Sequence, residues 1–204
     1  MQNAAFAESG LDWAYVACDV APEWFETAAR GLAAAGFAGA NVTTPHKEAA
    51  AALADTELGS VNTLVFTGEQ IVGHSTDAAV LDDLIAEHPV ILGAGGAALA
   101  FRAALPGARV FSRRSDWPPE IDNADLIVNA TSEREEVLVE LSEGNTLVDL
   151  PYPETATAVA AKEAGASVIS GLEVLVAQGA AAFELWTGVP APVDAMRRAV
   201  GLSV

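Results

Sequence analysis

The chain has 204 residues, 51% of them hydrophobic, which is enough for one large domain or two small ones with a real core. Its 10 Lys and Arg residues against 28 Asp and Glu residues give a formal net charge of -18, and a field of that sign repels nucleic acid and anionic membrane surfaces. Cys18 is the single cysteine, so an intrachain disulfide is excluded and a reducing cytoplasm is expected; no stretch of ~20 apolar residues predicts a membrane helix.

Strand and helix patterns alternate along the first part of the chain. Apolar alternation, Pro22 and the turn residues Thr67 and Gly68 predict, in order, a strand at 13–18, a helix at 22–35, a strand at 38–43, a hairpin of 60–66 with 69–74, and a short helix at 77–87. Between them, Thr44 is predicted as the N-cap of a helix and Pro45 as its first residue, so that Lys47 is at about the third position.

The same alternation continues from residue 90. The predicted elements are strand 90–92, helix 96–105, strands 108–112, 125–129 and 146–150, helix 155–164, strand 166–169, and two closing helices near 172–186 and 191–200. Strands that alternate with helices indicate right-handed βαβ units and parallel sheets. The fold class predicted from the residues is therefore α/β.

A glycine-rich turn follows the apolar strand 90–92. Gly93, Gly95 and Ala98 match the G-x-G-x-x-G/A pattern between a strand and an alanine-rich helix, which is the context that a dinucleotide-binding turn needs. Glycines let the backbone approach a pyrophosphate, and the free amides of the helix N-terminus meet its charge. An ordinary glycine-rich turn is the alternative, because the motif is short.

The next strand ends in Ser112, Arg113, Arg114 and Ser115. NAD-specific sites place an acid about 20 residues beyond the glycines, whereas two guanidiniums and two hydroxyls suit the 2′-phosphate of NADP. The residues therefore favour NADP over NAD. The alternative is a solvated arginine pair on an acidic surface.

Lys47 is one of only two lysines in the chain, and it closes the segment 41–47, which reads NVTTPHK. Asp77 follows a second strand. Reduction of a carbonyl by hydride leaves an alkoxide that must take up a proton, and a lysine beside a carboxylate can supply it. For either residue alone, a solvated lysine or a helix-capping aspartate is the more usual role.

Six segments together resemble the shikimate dehydrogenase family: 41–47 (NVTTPHK), 59–63 (GSVNT), 75–77 (STD), 93–97 (GAGGA), 129–131 (NAT) and 171–178 (GLEVLVAQ). The resemblance extends in order over essentially the whole chain. It implies two α/β domains: a substrate-binding domain at 1–78, joined by C-terminal helices 172–204 that pack back on it, and a Rossmann-type NADP-binding domain at 79–171. It also implies reduction of 3-dehydroshikimate to shikimate with NADPH, and leaves a homodimer open.

The resemblance further implies roles for individual residues. Lys47 and Asp77 correspond to the catalytic pair, and Thr43, Asn62 and Gln178 to residues that bind substrate hydroxyls, with Tyr152 near the substrate carboxylate. Arg113 corresponds to the arginine that holds the 2′-phosphate. The full set of cofactor-binding residues so implied is Gly93, Gly95, Gly96, Ala97, Ser112, Arg113, Arg114, Asn129, Thr131 and Gly171, with Ser112 where the family usually has asparagine.

Two departures from the family pattern bear on function. The Ser-x-Ser-Pro segment that holds the substrate carboxylate in the family, and the first strand of its sheet, have no counterpart here, and we expect either a start assigned at an internal methionine or a naturally trimmed member. In-frame codons for that motif upstream of Met1 would decide for the first. After Thr131, residues 132–136 read SEREE where the family usually has a Gly-Met that approaches the nicotinamide.

Two hypotheses on function follow. The first is an NADP-dependent shikimate dehydrogenase, with quinate as a related substrate. The second is a shortened, non-catalytic NADP-binding or regulatory relative, which the two departures favour and the retention of Lys47 and Asp77 opposes. The spans from Asp77 to Gly93 and from Gly96 to Ser112 are short for the family, so we expect trimmed helices there.

Overall fold

The computed structural model describes residues 1–68 and 70–204. The chain divides into two compact units. The first comprises Met1–Thr76 and Val176–Val204, and the second comprises Asp77–Leu175. Each has its own sheet and its own apolar core, which agrees with the predicted α/β class.

The first unit is built on a three-stranded sheet of order β1-β2-β3 whose pairs are antiparallel, so the prediction of parallel sheets is wrong for this unit. Its elements are α1 (Gln2–Glu8), α2 (Phe25–Ala34), β1 (Gly39–Asn41), α3 (Lys47–Leu53), β2 (Thr63–Thr67), β3 (Gln70–His74), the C-terminal part of α6 (Gly171–Thr187), and α7 (Val193–Ala199). The predicted hairpin is confirmed as β2 and β3; the first residue of its second predicted strand, 69, lies outside the described residues.

Two apolar clusters hold this unit together. Helices α2 and α3 bury Phe25, Ala29 and Ala50 against Val42 and Leu64 of the sheet region. The three other helices share a second cluster, which consists of Ala5, Phe6, Val176, Phe183 and Met196. Trp186 of α6 also donates from its indole Nε1 to the carbonyl of Leu64 at 2.9 Å, so α6 is fastened to β2.

The predicted strand at 13–18 is wrong. Residues 11–21 have no regular secondary structure, and the six residues of the predicted strand are all exposed. A strand needs a neighbouring ladder, and β1 is hydrogen-bonded within the described sheet only to β2. Instead, the Asn3 side chain of the unpredicted helix α1 bonds both the N–H and the C=O of Tyr15, at 2.6 and 3.0 Å.

Two other local predictions are wrong. Thr44 and Pro45 belong to a turn in which the His46 N–H donates to the Thr43 carbonyl at 2.9 Å, so α3 begins at Lys47 itself. Of the helix predicted at 77–87, only a single 3₁₀ turn at Ala79–Leu81 forms. At its far end, the Asp125 carboxylate accepts the N–H groups of residues 87 and 88 at 2.6 and 2.9 Å, which a helix would need for itself.

The second unit contains a five-stranded parallel sheet of order β5-β4-β6-β7-β8. Its elements are β4 (Pro89–Leu92), α4 (Gly96–Ala104), β5 (Arg109–Phe111), β6 (Leu126–Asn129), β7 (Thr146–Asp149), α5 (Ala156–Glu163), β8 (Ser167–Ile169) and the start of α6. The strand order reverses at β4, with β5 on one side and β6 on the other, and in open α/β sheets ligands bind at such a switch point.

Both faces of this sheet are covered, although only two of the four connections between its strands contain a helix. Alternate strand residues point to opposite faces: Val90 and Leu92 pack with α5, and Ile91 packs with α4. The connections 112–125 and 130–145 contain no helix or strand. On the α5 side, Val139 and Leu141 from the second of these connections are buried in the core, where they take the place of a helix.

Candidate active site

The segment that carries Lys47 is held against the segment that carries Asn62. Val42 donates its N–H to the Asn62 carbonyl at 2.7 Å, and the Lys47 carbonyl accepts the Val61 N–H at 3.0 Å. Thr43 is exposed and Lys47 half-buried. Two motifs that lie apart in the sequence are thus brought together at the end of β1, with the lysine at the first position of a helix.

Asn62 is the centre of a buried polar network. It is 3% exposed, its Nδ2 donates to the Thr76 hydroxyl at 3.0 Å, and its Oδ1 accepts the Thr76 N–H at 2.7 Å. Thr63 and Asn41 extend the network, and the Tyr15 hydroxyl donates to Asn41 at 3.0 Å. The Asn62 side chain therefore fixes the residue that immediately precedes Asp77 in the chain.

The predicted catalytic and substrate-binding residues are divided between the two units. Thr43, Lys47, Asn62 and Gln178 belong to the first unit, and Asp77 and Tyr152 to the second. Gln178 is half-buried on α6, next to Gly179, whose carbonyl accepts a bond from the Gln2 side chain at 2.8 Å. Tyr152 follows β7 and is 56% exposed.

A groove in the first unit lies beside the lysine motif. Residues 14–18 and β1 line it together with apolar residues of α2, and Thr43 and His46 also reach it. The His46 ring stacks on Phe25 with their centroids 5.0 Å apart. Sequence reasoning did not predict this groove, because it expected residues 13–18 to be a paired strand.

The glycine turn at the end of β4 has the geometry that a phosphate-binding turn needs. Gly93 has φ +118°, and a Cβ there would lie 2.8 Å from the Ala130 carbonyl oxygen. Gly95 is the N-cap of α4 and faces open space, since a Cβ there would meet nothing within 4 Å. No side chain caps α4, so the amides of Gly96 and Ala97 are available to an anion.

Gly171 is required by its own backbone surroundings. A Cβ there would lie 2.4 Å from the Leu150 carbonyl oxygen and 2.7 Å from that of Pro151. The start of α6 therefore packs directly on the backbone that leads from β7 to Tyr152. This contact explains the glycine without a ligand.

The predicted 2′-phosphate residues lie in a turn after β5. The Ser115 N–H donates to the Ser112 carbonyl at 3.0 Å, and the two serine hydroxyls are also 3.0 Å apart. The Arg113 guanidinium lies over the Trp117 ring, 5.7 Å from its centroid. Arg114 is exposed and makes no ion pair with the described part of the chain.

Asn129 and Thr131 belong to a hydrogen-bonded network at the ends of β6 and β7. The buried Asn129 side chain donates to Asp149 Oδ1 at 2.7 Å and accepts the Thr131 hydroxyl at 2.8 Å. Burial raises the pKa of Asp149, and the bonds from Asn129 and Thr155 oppose that rise. Sequence reasoning assigned no role to this buried carboxylate; its signal is an acid that ends an apolar strand.

The acidic segment after Thr131 is an ordered loop. One oxygen of Glu133 accepts the N–H groups of residues 134, 135 and 136 at 3.0, 3.0 and 3.3 Å. These backbone bonds, together with the nearby Arg113 charge, lower the pKa of Glu133. The loop therefore presents a fixed negative charge next to the turn that carries Arg113.

Within the described residues, every helix is too short or too polar to span a bilayer.

The chain is similar to known proteins over nearly all of its length. Family models match at residues 1–64, for the shikimate dehydrogenase substrate binding domain, and at 171–200, for the shikimate 5′-dehydrogenase C-terminal domain.

Curated relatives match nearly the full chain. The shikimate dehydrogenase (NADP(+)) of Methanopyrus kandleri is 39% identical, and that of Anaeromyxobacter dehalogenans 37%, each over 98% of this chain and 89% of the relative. Among solved structures, the Thermus thermophilus shikimate 5-dehydrogenase in complex with NADP(H) and shikimate aligns with a TM-score of 0.86 and 29% identity, over 97% of this chain and 91% of that one. The chain belongs to the shikimate dehydrogenase family.

Proposed function

We propose that this chain catalyses the reversible, NADP-dependent reduction of 3-dehydroshikimate to shikimate, a step toward aromatic amino acids. The observation that carries the proposal is the junction of two motifs: the Lys47 segment is hydrogen-bonded to the Asn62 segment, and Asn62 in turn holds Thr76, the neighbour of Asp77. Relatives at 37–39% identity over 98% of the chain, which are named for this activity, support it.

The proposed division of labour follows the predicted domains. Residues 1–78 with 172–204 bind the substrate, and residues 79–171 bind the dinucleotide. Thr43, Asn62 and Gln178 are the proposed ligands of the substrate hydroxyls, with Tyr152 near the carboxylate. Because the Asn62 side chain is already hydrogen-bonded to Thr76, its proposed contribution includes positioning as well as binding.

The residues around β4 fit a dinucleotide phosphate. Gly95 leaves open space at the uncapped start of α4, where Gly96 and Ala97 offer amide donors, and Gly93 permits the tight turn. Ser112, Arg113 and Arg114 are the proposed ligands of the 2′-phosphate, with Asn129, Thr131 and Gly171 shaping the nicotinamide side. When bound, the cofactor supplies the hydride for the ketone carbon.

Lys47 and Asp77 provide the proton chemistry in this proposal. As hydride reaches C3 of 3-dehydroshikimate, the ketone oxygen becomes an alkoxide, and Lys47 donates the proton that neutralises it. Asp77 orients the lysine and accepts a hydrogen bond from a ring hydroxyl. In the reverse direction the same lysine removes the hydroxyl proton. The cytoplasm is the proposed compartment, in keeping with Cys18 as an exposed free thiol.

The test is the loss of NADPH absorbance when the purified chain meets 3-dehydroshikimate. Steady turnover that requires both reactants is the expected result, and quinate with NADP⁺ in a parallel assay measures substrate preference. A second candidate, a non-catalytic NADP-binding relative, is favoured by the acidic loop after Thr131, which engages Arg113. NADPH binding without turnover, even at high substrate, would support that candidate.

A further inference from the structure

Arg113 is already engaged by two carboxylates of its own chain. Its Nη2 lies 2.5 Å from Glu136 Oε2 and 3.4 Å from Glu133 Oε2. The side chains differ in accessibility: Glu136 is 68% exposed, Arg113 53% and Glu133 25%. The guanidinium is thus neutralised locally, on the turn that an incoming 2′-phosphate would occupy.

The two carboxylates are held in different ways. Glu133 is tied to the three backbone N–H groups that follow it, and its own N–H donates to the Thr131 hydroxyl at 3.2 Å. Within the described part of the chain, the Glu136 side chain is paired only with Arg113. Glu133 is therefore a fixed part of the loop, whereas Glu136 can rotate into solvent at small cost, as exposed ion pairs generally can.

We propose that Glu136 is a specificity-determining residue that competes with the cofactor's 2′-phosphate for Arg113. The proposal rests on the proposed NADP-dependent function. Glu136 is bonded to Nη2, one of the two terminal nitrogens of the guanidinium, so a phosphate that is held through both terminal nitrogens competes with Glu136 for this donor. A carboxylate left beside that phosphate would also repel it. Glu136 consequently weakens NADP but leaves NAD, which has no 2′-phosphate, almost untouched.

Hydrogen bonds attach the acidic loop that carries Glu136 to the end of β6. The Thr131 hydroxyl donates to the Asn129 side chain at the end of β6 and accepts the Glu133 N–H, so the start of the acidic loop is attached to β6. The preference for NADP over NAD is then a balance between Arg113, which attracts the 2′-phosphate, and Glu136, which opposes it. The acidic segment 132–136, which departs from the family pattern, thereby lowers the preference for NADP over NAD.

The test is titration calorimetry of NADP and NAD on the full chain, with Glu136→Gln compared to Glu135→Gln. The control removes the same charge from the same loop, but at a residue that forms no ion pair with Arg113 in the structure. Glu136→Gln is expected to tighten NADP binding roughly three- to tenfold and NAD binding by less than about twofold. Glu135→Gln is expected to change each by less than about twofold.

A second set of variants tests whether the effect of Glu136 depends on Arg113. With Arg113→Ala, which should itself lower the NADP preference, adding Glu136→Gln is expected to give less than about a twofold further change in NADP affinity. Equal effects of Glu136→Gln and Glu135→Gln, or equal tightening of NADP and NAD, would overturn the proposal while leaving the proposed function intact. A wild-type chain that binds neither nucleotide would contradict both.

Discussion

At the scale of single residues, the buried carboxylate of Asp149 lies in an environment that opposes its charge. It is 1% exposed, and burial raises its pKa despite the bond from Asn129. Asp149 therefore fixes Asn129 and Thr131 at a cost in folding free energy. Such a cost at the end of a strand is typical of sites that are built for a ligand.

This raised pKa predicts a pH dependence of stability. The folded chain binds the Asp149 proton more tightly than the unfolded chain, so the free energy of unfolding falls as pH rises from the ordinary value of 3.8 through the raised pKa, and it levels off above it. Asp149→Asn lacks this titration. Urea unfolding of both proteins between about pH 4 and 8 should show wild type losing stability relative to the variant as pH rises. A difference that is constant, or that grows in favour of wild type, would contradict the assignment.

The sequence predicts the candidate site residues but not their partners. Lys47, Gly93 and Arg113 stand out because turns, glycines and charges at strand ends have short-range signatures, whereas the role of Asn62 is implied by the family resemblance. The contacts of Arg113 with Glu136 and of Asn129 with Asp149 span 23 and 20 residues and depend on how the connections fold. Local patterns carry no information about such pairs.

At the scale of elements, Gly39 in β1 allows helix α6 to approach the sheet closely. A Cβ at Gly39 would lie 2.2 Å from the Trp186 Nε1 and 2.3 Å from the Leu64 carbonyl oxygen, which are the two atoms of the helix-to-sheet hydrogen bond. The glycine is required there by close approach. Gly31 in α2, in contrast, has nothing within 4 Å of the same position.

The two glycines therefore predict opposite effects for one substitution. Gly39→Ala should lower the free energy of unfolding by about 2–4 kcal/mol, because the strand or the indole must shift and the bond is lost. Gly31→Ala should raise it by about 0.5–1 kcal/mol, since alanine is the better helix former. Urea unfolding measures both. A neutral Gly39→Ala would show that α6 is not fastened at this point.

The connection 130–145 contributes core packing that a helix would otherwise supply. Val139 is 7% exposed and lies in the core cluster of the second unit, whereas Val137, two residues earlier, is 50% exposed. Glu140 is exposed between the buried Val139 and Leu141, so this part of the connection turns one side toward the core. It offers a matched pair of valines in a single segment.

Substitution of each valine by alanine tests that packing. Val139→Ala should cost about 1–3 kcal/mol, through lost apolar burial and an unfilled space above β6 and β7, and Val137→Ala should change stability by less than about 0.5 kcal/mol. Thermal or urea unfolding of the two variants measures both changes in stability. Equal effects would mean that the connection does not pack as a core element.

Most elements of both sheets could be predicted, and the failures have identifiable causes. Strands β4, β6 and β7 are short apolar runs bounded by turn residues, so their pattern was unambiguous. Residues 13–18 have a strand pattern but no ladder in the described sheet, and residues 77–87 have a helical pattern whose last N–H groups bond Asp125 instead. In both segments tertiary partners decided the outcome.

At the scale of the whole molecule, the net charge of -18 opposes the binding of any anionic cofactor. The proposed cofactor is itself anionic, so its site depends on local compensation: the uncapped start of α4 and the arginine pair after β5. A carboxylate that occupies Arg113 therefore has a larger influence on this chain than it would on a basic protein.

The chain is also a compact version of its family. The alignment with the Anaeromyxobacter dehalogenans relative spans 248 positions, more than the 204 residues present, so the chain has internal deletions relative to that protein. The glycine turn, the parallel sheet and the Lys47 segment are retained.

The most direct test of the central claim is the effect of Lys47→Ala on turnover and on cofactor affinity, with Lys162→Ala as its control. The chain has only these two lysines, and Lys162 lies on α5, where it pairs with Glu154. Lys47→Ala should lower kcat for 3-dehydroshikimate by about 10²–10⁴ while the NADPH dissociation constant changes less than about threefold, and Lys162→Ala should leave both near wild type. A Lys47→Ala protein that keeps wild-type kcat, or that loses NADPH affinity in the same proportion as kcat, would contradict the assignment of Lys47 as the proton donor.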